Sequence, residues 1–532
     1  MNFDVSRLKD PLFFAENRIA AHSDHVAYAS MEELSHGETS LRCSLNGLWK
    51  FHHALNAGQV IPGFEAADYD SRGWADIRVP AHIQMEGYGA PQYANIQYPW
   101  DGYQDVAIGE IPTAYNPVAC YIKTFFVPEQ MADRRVFVSF QGAESCIAVW
   151  LNGHYVGFSG DSFTPSEFEL TDYLVEGENK LACRVERWSA GSWLEDQDFW
   201  RMSGLFRSVE LFTKPELHLE DVFVKQDFAP DFSSATVTFD CKVSGAGTVS
   251  VVFDGEEQSA EVGEPAEYDS GVVFGKGEAD PDVEEDVQDV SFTFTVEHPA
   301  LWSAEQPNLY EAEIALLRDG ALVERTGLKV GLRRFELKGR QMLLNGQRIV
   351  FKGVNRHEWS CRTGRTVSRE EMLWDVKNLK AHNVNAVRTS HYPQSQYFLD
   401  ECDRRGLLVF TELPGWQHIG DDNWKDAACE MLQEMLLQNR NHPSIILWGV
   451  RINESVDDDA FYTRTNKIAH QLDPSRATSG VRYHRRAAGN AGTLFSLQGS
   501  RCAGLPAGCR EIWLGRAAAG LQGQIRLVYA AL

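Results

Sequence analysis

The sequence predicts a multidomain chain, all-β at first and α/β later: two β-sandwiches, then a parallel sheet or barrel. Three observations carry this. At 532 residues the chain exceeds what one core comfortably holds. From Ser44 to Arg334, short alternating strands are separated by turn residues. After about Phe335, strand-like runs alternate with helical ones, and a βαβα order implies parallel pairing.

Residues 1–43 form an N-terminal extension, and 44–215 read as a first sandwich of jelly-roll type. There Val136–Phe140 and Ile147–Leu151 are strands. Asn152-Gly153 joins the second of them to His154-Tyr155-Val156 as a tight hairpin. Glu167–Leu170 and Lys180–Val185 alternate as further strands. Residues 216–334 form a second sandwich, its size and strand spacing immunoglobulin-like, with strands at Ala235–Phe239, Val249–Phe253 and Ser291–Val296. The acidic stretch Lys276–Asp289 reads as a solvated loop.

In 335–484, Val350–Val354 is a strand. The helix after it starts at Ser368, which with Glu371 makes a capping box above the apolar stripe Met372, Val376, Leu379. Strand Asn385–Arg388, helix Gln394–Arg405, strand Leu407–Phe410, helix Trp424–Gln438, strand Ile445–Trp448, helix Asp459–Leu472 and strand Thr478–Tyr483 follow. Residues 485–532 hold one acid, Glu511, and no lysine. Such Arg/Ala/Gly-rich text resembles an out-of-frame reading of a GC-rich gene, a low-complexity tail being the alternative.

A net charge of −25 argues against nucleic acid or an anionic membrane as partner. The N-terminus lacks an apolar signal core and no run is long enough to span a bilayer, so the expected compartment is the cytoplasm. Ten cysteines without a CxxC pair read as reduced, structural thiols. The 14 tryptophans could stack on sugar faces, although core packing explains most of them.

The most telling segment is Asn439–Glu454, in which a buried apolar run, Ile445–Trp448, is followed by Asn453-Glu454. A parallel barrel presents its chemistry at the carboxyl ends of its strands. An acid there, beside an amide able to hold a sugar hydroxyl, suits glycoside hydrolysis, which needs two carboxylates. Asn385–Pro393, Gly406–Phe410 and Asn439–Glu454 resemble two long signatures of glycoside hydrolase family 2. Tyr93–Pro99 and Leu194–Gly204 look like its bacterial β-galactosidase branch.

That resemblance implies a jelly-roll sugar-binding domain, an immunoglobulin-like domain and a (β/α)8 barrel. The activity implied is hydrolysis of terminal β-galactosides, with retention. Glu454 would be the acid/base, and Asn453 would bind the 2-hydroxyl unless it only caps a helix. His357 and His391 would hold sugar hydroxyls, a structural role being the alternative for each. Arg388 would tune the carboxylates or form a structural ion pair. Asp198 and Asn95 would reach the pocket from the jelly roll, Asp198 also holding Na⁺. Mg²⁺ would rest on His418 and Glu454, but Trp416 occupies the place of a family acid, which weakens that site. Glu412 is a pocket or a structural residue.

Residues 335–484 have room for about five of eight barrel strands, and Glu511 does not resemble the family's nucleophile motif. The expectation is therefore a partial barrel, truncated before the nucleophile, in a chain without activity. Two alternatives stand beside it: a galactoside-binding remnant without turnover, and another exo-glycosidase of the family, such as a β-glucuronidase. The small-molecule substrate is the expected partner, and a homo-oligomer is compatible with the sequence.

Overall fold

The computed structural model describes residues 3–93, 98–101, 104–132, 134–195, 200–263, 287–339 and 341–481. The first sandwich packs a seven-stranded sheet against a four-stranded one. Trp49, Phe51, Ile147, Phe140 and Phe168 fill the space between them. Asn152 and Gly153 both take positive φ, 51° and 87°, as the tight hairpin between Cys146–Leu151 and His154–Ser159 requires. The second sandwich opposes a three-stranded sheet to a five-stranded one. Strand Val287–Glu297 alternates buried and exposed along its outer half, as a strand with one face on a core must. It takes in Val287, Gln288 and Asp289, which the sequence had placed in the acidic loop; the chain before them, 264–286, lies outside the described residues.

The N-terminal extension ties the sandwiches together, which composition did not reveal. Its Ala15–Glu16 pairs with Phe158 and Ser159 of the first sandwich. Its Ala27–Tyr28 pairs with Arg325 and Thr326 of the second.

The third unit is a parallel sheet wrapped by helices: β1 (Gly353–Arg356), α1 (Arg369–Ala381), β2 (Ala386–Thr389), α2 (Gln396–Arg405), β3 (Leu408–Glu412), α3 (Asp422–Asn439), β4 (Ile445–Gly449), α4 (Asp459–Leu472) and β5 (Ala477–Ser479). The strands pair in sequence order, all parallel. The capping box at Ser368 is formed: its hydroxyl accepts from Glu371 N, and the Glu371 carboxylate accepts from Ser368 N. Two strand expectations move. Val350 is 57% exposed, and β1 starts only at Gly353, because the apolar run before it leads out of a hairpin, Gln341–Leu344 with Gln347–Arg348. The last strand among the described residues is Ala477–Ser479, and Arg482 onward lies outside them. The eight described cysteines are free thiols. Among the described residues no helix is long and apolar enough to cross a membrane.

Asp403 and His442 anchor α2 to the loop before β4. His442 Nδ1 lies 2.6 Å from Asp403 Oδ2, and Nε2 lies 2.9 Å from Gln396 Oε1. Both partners are acceptors, so the ring donates twice, as an imidazolium. Burial opposes that charge, but Asp403, with Asp400 and Asp24 behind it, outweighs burial and lifts the pKa to about 9. A raised folded pKa contributes stability that is present below the unfolded value of about 6.5 and lost as pH climbs through about 9. Chemical denaturation should therefore show stability falling between pH 7 and 10. His442→Gln should flatten that slope; an unchanged slope would disprove the charged pair.

Candidate active site

The site is assembled where β2, β3 and β4 end. Ile452-Asn453-Glu454 follows β4 after a turn. Asn453 makes an isolated parallel bridge to Trp416, and its carbonyl accepts from Gln417 N at 2.8 Å. Glu454 donates its N–H to Val481 O at 3.2 Å and takes φ +54°, a left-handed conformation that costs a non-glycine residue energy. Such strain collects where a side chain must be aimed rather than packed. Glu454 is half-buried, whereas Asn453 is buried.

Arg388, inward on β2, organises the floor. It grips Glu412 with two contacts, Nε to Oε1 at 2.9 Å and Nη2 to Oε2 at 2.7 Å. Its Nη2 also donates to Asn453 Oδ1 at 3.0 Å. His391 Nδ1 stands 2.8 Å from Arg388 Nη2 and 2.9 Å from Glu412 Oε2, so it accepts from the first or donates to the second. Burial raises the Glu412 pKa, but the Arg388 charge and His391 more than offset it, and the carboxyl is held below its ordinary value. Burial and Arg388 push His391 down. His357, after β1, faces His391 edge-on with ring centres 6.0 Å apart; burial, His391 and Arg388 push it down to about 3. Both histidines are thus neutral near pH 7.

The structure brings Glu454, Asn453, Arg388, His391 and His357 to one end of the sheet. Asn95 and Asp198 lie outside the described residues. The chain on either side of them is described: Gln92–Tyr93 pairs with Trp200–Arg201, so the two segments leave from one ribbon.

For Mg²⁺ the described residues offer His418 and Glu454, yet among them no set of three converging donors includes either; the set found is Asp400, Asp403 and His442. Trp416 is 3% exposed, with its ring against Tyr98. The His418 ring sits between Trp193 and Trp424, at 5.3 and 5.9 Å, and its buried Nε2 has no hydrogen-bond partner among the described residues. One nitrogen in an aromatic box and one carboxylate do not fit a hard cation that prefers several oxygens.

Two features escaped the sequence reading. Glu358, buried after β1, is fastened by Arg207 of the first sandwich at 2.8 Å and accepts from Ser395 N. Trp359, next to it, joins Tyr93 and Trp200 in an aromatic group. Only contacts between distant segments reveal either.

Comparisons with known proteins agree with this architecture. Family models match residues 42–215 (glycosyl hydrolases family 2, sugar binding domain), 217–333 (glycosyl hydrolases family 2) and 335–491 (glycosyl hydrolases family 2, TIM barrel domain). A β-galactosidase of Halalkalibacterium halodurans is 43% identical over 504 residues, which are 91% of this chain and 48% of that protein. One of Streptococcus thermophilus is 43% identical, over 83% of this chain and 43% of that protein. A β-galactosidase large subunit of Latilactobacillus sakei is 34% identical, over 90% and 78%. The chain thus spans about half the length of the first two relatives. Among solved structures, a β-glycosidase from Bacteroides vulgatus superposes with TM-score 0.66 at 23% identity, covering 83% of this chain and 54% of that one. A β-glucuronidase from Bifidobacterium dentium gives TM-score 0.67 at 22%, covering 84% and 75%, a likeness of fold alone. The chain belongs to glycoside hydrolase family 2.

Proposed function

We propose that this chain carries the acid/base half of a retaining β-galactosidase. The observation that carries the reading is Glu454, on a left-handed backbone in the turn after β4, beside an Asn453 whose amide is oriented by Arg388. The relatives' names, at 43% identity, favour a galactoside over other sugars.

In this reading Glu454 gives its proton to the glycosidic oxygen as the bond breaks and takes one from water afterwards. Arg388 occupies Asn453 Oδ1, so the Asn453 N–H group is left to donate to the 2-hydroxyl. Neutral His357 and His391 exchange hydrogen bonds with sugar hydroxyls and add no charge that would oppose the positive transition state.

The attacking carboxylate is not found among the described residues at the strand ends. Among the described residues two other acids stand at or just after the ends of the parallel strands, and both are engaged: Glu358 by Arg207, Glu412 by Arg388 and His391. The expected result for residues 1–532 alone is therefore binding of galactose without turnover of a nitrophenyl β-galactoside. Turnover at ordinary rates, roughly 1–10³ per second, would mean that a second carboxylate comes from elsewhere in the chain or from another subunit. Preference for a glucuronide over a galactoside in the same binding assay would overturn the substrate assignment.

A further inference from the structure

Glu454 sits inside a turn that is tied shut from several directions. Ile452-Asn453-Glu454-Ser455 closes on itself: Ser455 donates to the Ile452 carbonyl from its N–H at 3.3 Å and from its hydroxyl at 2.7 Å. Glu454 is the third residue of that turn, the place where a tight turn can demand positive φ and where glycine or asparagine is the usual choice. A glutamate at φ +54° keeps that conformation only when its surroundings leave it no other.

Arg451 supplies that constraint. It precedes the turn, yet its guanidinium reaches past it. Nη2 donates to the Ser455 carbonyl and, at 3.0 Å, to the Val456 carbonyl, and Nη1 pairs with Asp457 at 2.8 Å. The Arg451 side chain is 1% exposed, although Val456, whose carbonyl it holds, is 67% exposed. A cation is thus buried under a surface loop. The Tyr462 ring centre of α4 lies 4.3 Å from the guanidinium carbon, and the Tyr462 hydroxyl bonds that of Ser455. On the other side the chain leaves β5 at Gly480, where a Cβ would lie 2.3 Å from Arg451 Cβ, so glycine lets the two segments close up. Burying a cation is unfavourable unless its donors are met; here the loop around Glu454 meets both Nη atoms. A guanidinium that faced only a carboxylate would neutralise charge. This one also holds two main-chain carbonyls, and what that fixes is a backbone.

We propose that Arg451 is a positioning residue for Glu454: its guanidinium bridges the turn and holds the left-handed backbone from which the carboxyl is aimed. The proposal rests on the acid/base reading above. Arg451 acts through the backbone, since both Nη atoms are taken up by the loop. Asn453 supplies the contrast. It lies in the same turn but is also held from elsewhere, by Arg388 at its Oδ1 and by Gln417 N at its carbonyl. Loss of the guanidinium should therefore misplace the acid and leave the amide that meets the 2-hydroxyl near its place. The consequence is a split. Contacts to the sugar ring survive, while contacts to the atom at the glycosidic oxygen do not.

The test is calorimetric titration of the full chain with galactose and with a galactose-configured imidazole, a sugar ring fused to an imidazole whose nitrogen stands where the glycosidic oxygen would be. That nitrogen bonds the Glu454 carboxyl by a charge-assisted hydrogen bond, stronger than any the galactose 1-hydroxyl makes. The imidazole should bind the unaltered chain about tenfold more tightly than galactose does, and Glu454→Gln should remove most of that advantage. Arg451→Met should remove most of it too, with galactose affinity changed by less than about twofold. Arg451→Lys, which can hold one carbonyl but cannot bridge to three residues, should recover only part of it. Should Arg451→Met fail to fold, Arg451→Lys decides alone: part of the advantage is lost if the guanidinium aims the acid, and none if it does not. If both variants keep the full advantage, Arg451 does not position Glu454, while the acid/base reading stands. Equal losses for both ligands would make Arg451 a structural residue of the whole loop and overturn the proposal. If Glu454→Gln binds the imidazole as the unaltered chain does, or the unaltered chain binds neither ligand, the acid/base reading fails and this proposal fails with it.

Discussion

Glu454→Gln lowers turnover of lactose by about 10²–10⁴-fold, the usual contribution of one acid/base group, in any preparation that hydrolyses galactosides. The amide has the shape of the carboxyl and sits on the same left-handed backbone, so the position should hold. Glu454 is half-buried and glutamine keeps its shape, so stability should stay within about 0.5 kcal/mol. Only the transferable proton is lost. A dinitrophenyl galactoside, whose leaving group needs little protonation, should therefore suffer much less in bond cleavage than lactose does. Measuring kcat/KM for both substrates separates the cases. A large drop on lactose with a small one on the dinitrophenyl substrate is the signature of the acid. Equal drops would give Glu454 a structural role, and unaltered lactose kinetics would refute the assignment.

How far the sequence led depended on whether the cause was local. Ser368 with Glu371, and Asn152-Gly153, form their turns from neighbours alone, and the structure has both. The acid after β4 was legible because a buried strand must stop before a polar site begins. The start of β1 was not. Val350-Phe351 has the apolar look of a strand, yet the hairpin before it takes up the chain, and pairing with Ala386 begins only at Gly353. Glu412 was equally opaque: an acid ending a strand reads the same whether it faces substrate or, as here, a guanidinium and an imidazole from the neighbouring strand. The aromatic group joins residues 93, 200 and 359, and the ion pair beside it, Glu358 with Arg207, joins two domains. No periodicity within a window records such contacts. The N-terminal extension likewise shows two residues at a time to each sandwich, too few to register as strands.

Arg388→Ala should be the most damaging single change to the fold of the site, by about 3–5 kcal/mol, the cost of leaving one member of a buried ion pair behind. Glu412 is 1% exposed. Without the guanidinium, only His391 remains to it, and burial, which already disfavours its charge, would push its pKa up instead of down. Asn453 would lose the donor at its Oδ1, so galactose affinity should fall with stability. Glu412→Gln should cost less, because it removes the charge rather than stranding it. The double change Arg388→Met with Glu412→Leu should recover much of the stability and none of the binding, since an apolar pair packs but orients nothing. The pH dependence carries the same sign. A carboxyl held below its ordinary value contributes stability that is fully present above about pH 4.3, the unfolded value, and is lost as pH falls through the lower folded one. Urea denaturation between pH 3 and 6 should accordingly show a steeper acid loss in the unaltered chain than in Glu412→Gln. If Arg388→Ala melts within about 1 kcal/mol of the unaltered chain, the network is ornamental, and the orientation of Asn453, on which the proposed mechanism depends, has to be sought elsewhere.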